Sequence, residues 1–384
     1  GAAAAAAAAA HSPAGGDEAA ALGASFGVSL AVVSMIKQPA NFETWLRPRH
    51  CLDTSHTPPA HRLDTSCTLR LAPAPHASRP LRRSYHRDSL GVTRFYLRVE
   101  DTPSLEALLS SPRWAGLVEA DFHSRAERDY FEQMDRQSGH IASVIPRARA
   151  AGFTHLLHID DDELVYCAAG LPPLFRLLSA AGVERPNVHM QNVEALLPAP
   201  DCDNPFAAVR SFRHFPTQYC SYTNGKSFGV LAAAGLRSHG PHHFRSAATC
   251  GGGGAGSLDL PAGVAVVLHY ESATYAKWRT KYLELARRHG DAPEVLSRVP
   301  FAFYRQSLSS ARKLLHAEAE VRLRTPAAAE RMRAAEEGAV RLWSKWKVEP
   351  KGLPPPPPPG ETPLVLPQGI TRLSPGGVTA SPDG

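Results

Sequence analysis

Short apolar runs alternate with longer amphipathic stretches along the middle of the chain, and this alternation predicts the secondary structure. The apolar runs predict strands at Val28–Met35, Val92–Val99, Trp114–Val118, Leu156–Ile159, Val188–Val193 and Val264–Leu268. Apolar residues at three- and four-residue intervals predict helices after Pro39, at Pro103–Leu109, Ala126–Ala151, Leu174–Ala181 and Tyr275–Arg288, and near Ser307–Arg322 and Ala327–Lys345. Strands that alternate with helices are typical of a parallel sheet with right-handed crossovers. The sequence therefore predicts an α/β fold with a mostly parallel, Rossmann-like sheet flanked by helices.

Low-complexity segments enclose this α/β region. Residues 1–24 contain a run of nine alanines and predict a disordered leader, and residues 349–384 contain six consecutive prolines and predict a disordered tail. A single domain is predicted over residues 25–348. Within it, Cys51–Ser84 has no sustained period and many Pro and His residues, so we interpret it as an insertion, such as a poorly processed gene segment would leave. The alternative is a loop that binds an acceptor.

Four acidic residues, Asp160–Glu163, follow the predicted strand Leu156–Ile159 without a break. They lie at the carboxyl end of that strand, where open α/β sheets bind their ligands. In an extended chain alternate residues point the same way, so Asp160 and Asp162 can converge on one point. Like charges brought together repel unless a positive charge lies between them, and carboxylate oxygens suit Mg²⁺ or Mn²⁺. A metal site is one interpretation, and acids that cap the next helix or face water are the other.

The composition narrows the classes of partner. The net charge is +6 and the pI is near 9.1, with abundant Arg, Ala, Gly and Pro. A GC-rich genome explains the abundance of these residues and the resulting positive charge. Binding to phosphate or an anionic membrane is the functional alternative. No dense basic block is interleaved with aromatic residues, which argues against nucleic-acid binding. The six cysteines form no Cys-x-x-Cys pair, which argues against zinc, while a disulfide between Cys202 and Cys220 stays open.

The sequence carries little information on membrane attachment. Its longest apolar run, Ser25–Ile36, is too short to span a bilayer. The chain begins with Gly rather than Met, so a signal or membrane anchor in a segment outside this chain stays open.

A series of short motifs, taken in order, resembles a known family. The motifs are Ser-Met-Ile-Lys (34–37), Phe-Glu-x-Trp-Leu (42–46), Tyr-His-Arg-x-x-x-Gly-Val-x-x-Phe-Tyr-Leu (85–97), Arg-Gln (136–137), His-Ile-Asp-Asp-Asp-Glu-Leu (158–164), Asn-x-Glu-Ala (192–195), Gly-Lys-Ser (225–227), Gly-Pro-His-His-Phe (240–244) and His-Tyr-Glu-Ser (269–272). Together they are similar to glycosyltransferase family 92 and its family 2-like relatives, over roughly residues 28–310. In that family Leu46 would run almost directly into Tyr85, which supports the interpretation of Cys51–Ser84 as an insertion.

The resemblance implies a GT-A fold, a nucleotide-sugar donor such as a UDP-hexose, and a divalent cation, Mn²⁺ or Mg²⁺. It implies inverting transfer of a hexose to a hydroxyl of a glycan or glycoconjugate, on the Golgi or another secretory membrane. Carried over to this chain, Asp160 lies near the donor ribose and the metal, Asp162 binds the metal with support from Asp161, and His269 completes the metal shell. His243 is the second choice. As alternatives, His269 is a core histidine and His243 a loop histidine.

Further donor contacts are inferred from positions at strand ends. Glu100 or Asp101 would hold the nucleoside, and Lys37 would meet the base or a phosphate. Arg136 would also bind the donor. Lys226 would bind the donor and help to stabilise the departing phosphate.

An inverting transferase also needs a carboxylate that accepts the proton of the acceptor hydroxyl. Glu194, just past the predicted strand Val188–Val193, is the first candidate for this base, and Asp203 and Glu271 are alternatives. Glu194 would otherwise be a solvated residue at a strand end. The aromatic cluster within residues 212–222 fits stacking on sugar faces or, as is more common for aromatic residues, packing in a core.

Two other classes of function stay open on the sequence alone. A metal-dependent phosphohydrolase or nucleotidyltransferase could use the same acids, but a two-metal mechanism would need a second acidic set, and none is clear in the sequence. A catalytically inactive glycan-binding module is the other class. The intact pattern of Asp160 and Asp162 argues against it.

Deletion of Cys51–Ser84 tests the insertion hypothesis. We expect the shortened chain to keep the far-ultraviolet circular dichroism spectrum and the thermal unfolding midpoint of the full chain, because an inserted surface segment contributes little to a core. Thermal unfolding followed by circular dichroism measures both quantities. A midpoint lowered by more than about 8 °C would mean a loss of several kcal/mol and would show that the segment is structural.

Overall fold

The computed structural model describes residues 28–37, 86, 90–124, 130–167, 170–183, 185–200, 202, 204–247, 256–289, 300–358, 361 and 363–373. The predicted leader, the predicted helix after Pro39 and the segment Cys51–Ser84 lie outside these residues.

The described residues form strands and helices that we number in chain order. The strands are β1 (Leu30–Lys37), β2 (Val92–Glu100), β3 (Val118–His123), β4 (His155–His158), β5 (Glu163–Cys167), β6 (Asn187–Met190), β7 (Asn192–Leu196), β8 (Ser211–Arg213), β9 (Lys226–Val230), β10 (Arg237–His239), β11 (His243–Arg245), β12 (Ser257–Leu260), β13 (Ala265–His269), β14 (Leu364–Leu366) and β15 (Ile370–Arg372). The helices are α1 (Ser104–Leu109), α2 (Tyr130–Ala150), α3 (Leu171–Ala180), α4 (Pro205–Ala208), α5 (Tyr275–His289), α6 (Ala302–Val321) and α7 (Pro326–Lys347).

The larger sheet has seven strands in the order β12–β6–β9–β4–β1–β2–β3. Neighbouring strands are parallel except at β9, which runs antiparallel to both β4 and β6. Adjacent residues of β1, such as Val32 and Val33, are both fully buried. Such burial on both faces is typical of a parallel sheet covered by helices. The predicted α/β fold class, with a mostly parallel, Rossmann-like sheet, is therefore confirmed.

The second sheet has six strands in the order β14–β15–β8–β7–β13–β5. It is antiparallel except between β7 and β13. The chain leaves the larger sheet at the end of β4 and enters the second sheet at β5, so that residues 159–162 form a seam between the two sheets. In the register of the second sheet, Glu163, His269 and Glu194 lie side by side on β5, β13 and β7. The acidic segment therefore meets the end of β13 at this seam.

The third strand lies later in the chain than predicted. Instead of Trp114–Val118, the strand is β3, and Trp114 is buried in a 3₁₀ turn that begins at Pro112. Pro112 has no backbone N–H for a strand ladder, and Gly116 has a φ of +74°, so the chain turns here before it extends.

The predicted strand Val188–Val193 is two strands, β6 and β7, which belong to different sheets. The break falls at Gln191, whose carbonyl accepts a hydrogen bond of 2.9 Å from the Val267 amide of β13. An apolar run does not show which sheet its residues join, and only the pairing partners separate the two halves.

Part of the predicted disordered tail belongs to the fold. Strands β14 and β15 form a hairpin, and β15 pairs antiparallel with β8. Ile370 and Leu373 are buried, and Gly369 has a φ of +73° in the turn. The prediction of disorder is therefore wrong for residues 363–373. The apolar pattern of these residues is only a few residues long. It follows the run of six prolines, which dominates the composition of residues 349–384 and led to the prediction of disorder.

Helices α5, α6 and α7 are tied together and to the second sheet by buried tryptophans. The Trp278 indole donates a hydrogen bond of 2.8 Å to the Ser307 hydroxyl, which joins α5 to α6. The Trp343 indole donates one of 2.9 Å to the Ser272 carbonyl, just after β13. Both indoles are fully buried. These contacts fix α7 relative to the end of β13.

Two further findings concern the described part of the chain. None of its helices has the combination of length and apolar character that crossing a bilayer requires. Cys202 and Cys220 are not joined by a disulfide.

Substitution of Ile370 tests whether the C-terminal hairpin is part of the folded core. Ile370→Ala should lower the free energy of unfolding by about 2–4 kcal/mol, because Ile370 is buried and the substitution leaves a cavity. Val365→Ala in the same hairpin is the matched control, because Val365 is 64% exposed and its loss should change stability by less than about 0.5 kcal/mol. Urea unfolding measures both. Equal effects of the two substitutions would contradict the pairing of β15 with β8.

Candidate functional site

The acids of the seam lie where strand ends from both sheets converge. Asp160 follows β4 in the larger sheet. Strand β9 runs antiparallel to β4, so the first residue of β9, Lys226, lies beside Asp160 at the carboxyl end of β4. In the second sheet, antiparallel pairing places Glu163 of β5 opposite His269 of β13. Asp162 is joined to this strand end by a 2.7 Å hydrogen bond from the Tyr270 amide to its carbonyl. Carboxylates, a lysine and a histidine therefore share one edge.

Asp160 is held by two side chains from different elements. The Lys226 ammonium donates a hydrogen bond of 2.7 Å to Asp160 Oδ2, and the Gln137 amide donates one of 2.8 Å to Oδ1. Burial by itself would raise the pKa of Asp160, but the Lys226 charge holds this pKa well below its usual range. Asp160 is therefore an ionised carboxylate whose position is fixed before any ligand binds.

Glu163 lies directly behind Asp160 and is fully buried. Its Oε2 accepts a hydrogen bond of 2.7 Å from the Asp160 amide and lies 3.6 Å from the Lys226 ammonium, and its Oε1 accepts a hydrogen bond from the Tyr222 hydroxyl. Burial raises the pKa of Glu163 to about 7, against the opposing effect of Lys226. The Lys226 ammonium thus lies beside two carboxylates, those of Asp160 and Glu163.

Asp162, His269 and Glu271 form a group that could hold a metal ion. One ligand atom from each lies within 4.8 Å of the other two. His269 Nε2 is 3.9 Å from Asp162 Oδ1, while His269 Nδ1 donates a hydrogen bond of 3.0 Å to Glu194 Oε1. Burial favours the neutral imidazole, but Glu194 and then Asp162 outweigh it and raise the pKa of His269 to about 9. Two carboxylates and one imidazole are a donor set that suits Mn²⁺.

Glu271 is held by its own cation. Its carboxylate accepts hydrogen bonds of 2.7 Å from the Lys281 ammonium of α5 and 2.6 Å from the Ser272 hydroxyl. Burial opposes ionisation, yet Lys281 lowers the pKa of Glu271 to about 2. Asp161 differs from Glu271 in this respect. Burial and the neighbouring charges of Asp162 and Asp160 raise the pKa of Asp161 to about 7, against the opposing effect of Lys277. Carboxylates are thus concentrated at the seam, and such a concentration suits the binding of a divalent cation.

Glu194, predicted as the base, is buried behind His269. Its side chain is 1% exposed, and its second oxygen lies 3.7 Å from the Lys347 ammonium. The positive charge of His269 lowers the pKa of Glu194 despite burial. These contacts direct Glu194 toward His269. Asp203, the alternative base, lies outside the described residues.

The residues that were predicted to bind the donor lie close to one another at the carboxyl ends of β1 and β2. Glu100 is fully buried and accepts hydrogen bonds of 2.7 Å from Arg98 Nε, and of 2.9 Å and 3.1 Å from Arg136 Nε and Nη2. Lys37 ends β1 in register with Glu100, and Asp101 follows on the surface with a φ of +48°. Arg136 precedes Gln137, so α2 connects the Glu100 end of β2 with the Asp160 end of β4.

His243, the second choice for a metal ligand, lies away from the carboxylates of the seam. Its Nδ1 is 3.4 Å from the Ser227 hydroxyl and its ring faces His189 at 5.0 Å. The preceding residue, His242, is closer to the site: its ring lies 5.1 Å from that of Tyr222, and its Nδ1 donates a hydrogen bond of 2.8 Å to the Gly225 carbonyl. Adjacent histidines in a motif do not show which of the two points inward.

Gln137, Glu163 and His242 belong to the motifs quoted above but had no predicted role of their own, and Tyr222 was predicted only as a member of the aromatic cluster. Gln137 follows Arg136, and Glu163 ends the acidic run. Phe212 and Tyr219 of the aromatic cluster are buried in the core, Phe215 is exposed, and Tyr222 reaches the site. Its contact with Glu163 spans 59 residues and has no local signal in the sequence.

Asp161→Asn tests the raised pKa of Asp161. The pKa of Asp161 rises from 3.8 to about 7 on folding, so between these values the folded state binds more protons than the unfolded state. The free energy of unfolding should therefore fall as the pH rises through this window, and less steeply in Asp161→Asn. Urea unfolding between about pH 4 and pH 8 with a chelator present measures the slopes. Glu337→Gln, which changes an exposed carboxylate on α7, should keep the wild-type slope. Identical slopes in all three proteins would contradict the shift.

Comparison with known proteins gives one finding of similarity. No protein-family model matches the chain. A glycosyltransferase-like protein of Arabidopsis thaliana is 26% identical over 275 residues, an alignment that covers 61% of this chain and 55% of that protein. The alignment spans about half the length of this curated relative. The chain is thus similar to a protein of the class that its motifs resemble.

Proposed function

We propose that this protein is a glycosyltransferase that uses a divalent cation and a nucleotide-sugar donor. The observation that carries the proposal is the group formed by Asp162, His269 and Glu271 at the carboxyl end of β4, where α/β sheets bind ligands. The likeness to the Arabidopsis glycosyltransferase-like protein supports the glycosyltransferase class. The finer assignment rests on the motifs: a GT-A enzyme similar to family 92, a UDP-hexose donor, inverting transfer to a glycan or glycoconjugate, and a Golgi or other secretory location.

Asp162, His269 and Glu271 would hold the cation. The concentration of carboxylates at the seam, where Asp160, Asp161, Asp162 and Glu163 follow one another in the chain, supports a cation here. A bound Mn²⁺ or Mg²⁺ would act as a Lewis acid that stabilises the charge on the departing nucleoside diphosphate. The resemblance placed Asp160 on the metal as well, whereas in the structure Asp160 is bound to Lys226 and Gln137.

Asp160 would contact the donor. Its carboxylate is 29% exposed and keeps lone pairs beyond those used by Lys226 and Gln137, so it can accept a hydrogen bond from a ribose hydroxyl. Arg136, held against Glu100, would line the nucleoside side of the same edge. Lys226 is fully buried, and its contribution would be to keep Asp160 ionised and in place rather than to reach the phosphate.

The proton of the acceptor hydroxyl needs a carboxylate that the acceptor can reach. Of the three predicted candidates, Glu194 is buried between His269 and Lys347, and Glu271 would be a ligand of the cation. We therefore propose that Glu194 orients His269, and Asp203 stays the predicted base.

A two-metal phosphohydrolase receives less support. Within the described residues, Asp162, His269 and Glu271 are the group of three or more potential ligands that lie close enough for a metal ion. A two-metal mechanism would need a second such group about 4 Å away. An inactive glycan-binding module would not need to bind a cation together with a nucleotide. Titration of UDP with and without Mn²⁺ therefore separates it from a transferase.

Calorimetric titration of UDP with and without Mn²⁺ tests the proposal. We expect UDP to bind the wild-type protein only when Mn²⁺ is present, and Asp162→Ala to weaken this binding by more than about 100-fold, because it removes a direct ligand. Glu337→Ala, which removes an exposed carboxylate from α7, is the control and should bind as wild type does.

Two outcomes would contradict the proposal. Mn²⁺-dependent binding that survives in Asp162→Ala would remove the metal site from this group of residues. Absence of UDP binding by folded wild-type protein, with or without Mn²⁺, would remove the UDP-sugar donor.

A further inference from the structure

The last turn of α7 places a buried lysine beside the second sheet. Lys347 is fully buried, and its carbonyl accepts a hydrogen bond of 2.7 Å from the Leu197 amide, just past β7. The Glu349 amide in turn donates one of 2.8 Å to the Leu197 carbonyl. These two bonds fix the end of α7 against β7, and therefore fix the position from which the Lys347 side chain extends.

The Lys347 ammonium faces Glu194. Its Nζ lies 3.7 Å from Glu194 Oε2 and 3.9 Å from Cys220 Sγ. Glu194 Oε2 is buried and accepts no hydrogen bond from the described residues, and Lys347 Nζ lies within ion-pair distance of it, while Arg213 is its neighbour on β8. A buried ammonium loses its hydration, and only an opposite charge nearby offsets that loss. Lys347 and Glu194 therefore depend on each other.

The other oxygen of Glu194 determines the state of His269. Glu194 Oε1 accepts the Nδ1–H of His269 at 3.0 Å, so Nε2 is the nitrogen that can bind a metal, once the metal displaces its proton. Nε2 lies 3.9 Å from Asp162 Oδ1, on the side of the proposed metal site. An ionised acceptor behind a histidine also makes it a stronger ligand.

We propose that Lys347 is a positioning residue for the metal site and acts through Glu194 on His269. This inference rests on the proposed function, because it concerns the cation bound by Asp162, His269 and Glu271. Helix α7 thereby controls the affinity of a site to which it contributes no ligand. Without Lys347, Glu194 Oε2 would lose the ammonium that holds it, and the carboxylate would turn away from its present position. This change would weaken its hold on Nδ1 of His269.

The direction of the effect separates this role from simple electrostatic repulsion. A lysine that acted only as a nearby positive charge would repel the cation, and its removal would tighten cation binding. A lysine that positions Glu194 would do the opposite, and its removal would weaken cation binding. Affinity for the cation, measured without substrate, therefore reports on the mechanism.

The experiment is calorimetric titration of Mn²⁺ alone into the full chain. Lys347→Met should weaken Mn²⁺ binding by about tenfold, the lower end of what loss of an indirect contact to a metal ligand causes. Lys345→Met is the matched control: Lys345 is exposed in the same helical turn and should leave the affinity unchanged. Circular dichroism and thermal unfolding without metal confirm that each variant is folded. Unchanged or tighter binding in folded Lys347→Met would overturn the inference.

A double-substitution cycle tests whether Lys347 acts through Glu194. Glu194→Gln should itself weaken Mn²⁺ binding, and adding Lys347→Met to it should weaken binding no further. An equal effect of Lys347→Met in both backgrounds would overturn the route through Glu194. If either single variant does not fold, the double variant, in which neither Lys347 nor Glu194 is left without the other, still decides: wild-type Mn²⁺ affinity in it overturns the inference.

The same titrations separate this inference from the proposed function. Wild-type protein that binds no Mn²⁺ would overturn the metal site and this inference together. Wild-type binding that Lys347→Met leaves unaltered would overturn this inference and leave the proposed function standing.

Discussion

Lys226 is fully buried, yet its ammonium lies 2.7 Å from Asp160 and 3.6 Å from Glu163, and the arrangement of the candidate site depends on these contacts. Strand β9 brings the lysine there because it runs against its neighbours in the larger sheet. A reversed strand begins where the parallel strands end, so its first residue reaches the edge at which α/β sheets bind ligands. The reversal thus supplies a cation at the place where the acids of the seam would otherwise repel each other.

The second sheet uses the same geometry. Because β5 runs antiparallel to β13, the first residue of one strand, Glu163, meets the last residue of the other, His269. Parallel pairing of β13 with β7 then adds Glu194 on the other side of His269. The helices complete the balance of charge, since α5 supplies Lys281 to Glu271 and α7 supplies Lys347 to Glu194. Asp160, Glu194 and Glu271 are thus each stabilised by a lysine from another element of the fold, whereas Asp162 faces His269.

Local patterns predicted several elements well because their signals are local. The period of apolar residues found α5 and α7 to within a few residues, and an apolar strand that ends in Asp160 marked the ligand-binding edge. The same approach failed for strands whose position depends on the strand with which they pair. Val188–Val193 was predicted as one strand and is divided between two sheets, and residues 363–373 were predicted as disordered and pair with β8. A strand of three residues has too little pattern of its own to be recognised.

The sequence by itself determined the α/β class, the edge at which the acids collect and the resemblance to glycosyltransferases, since each follows from residues close together in the chain. Tertiary structure alone decided what each charge does. Glu194 and Asp160 look equivalent in the sequence, as acids at strand ends, but one is buried behind His269 and the other is partly exposed beside Lys226. The effect of a carboxylate depends on its burial and on the charges within a few ångströms, and those are set by chain segments as far apart as Glu194 and Lys347.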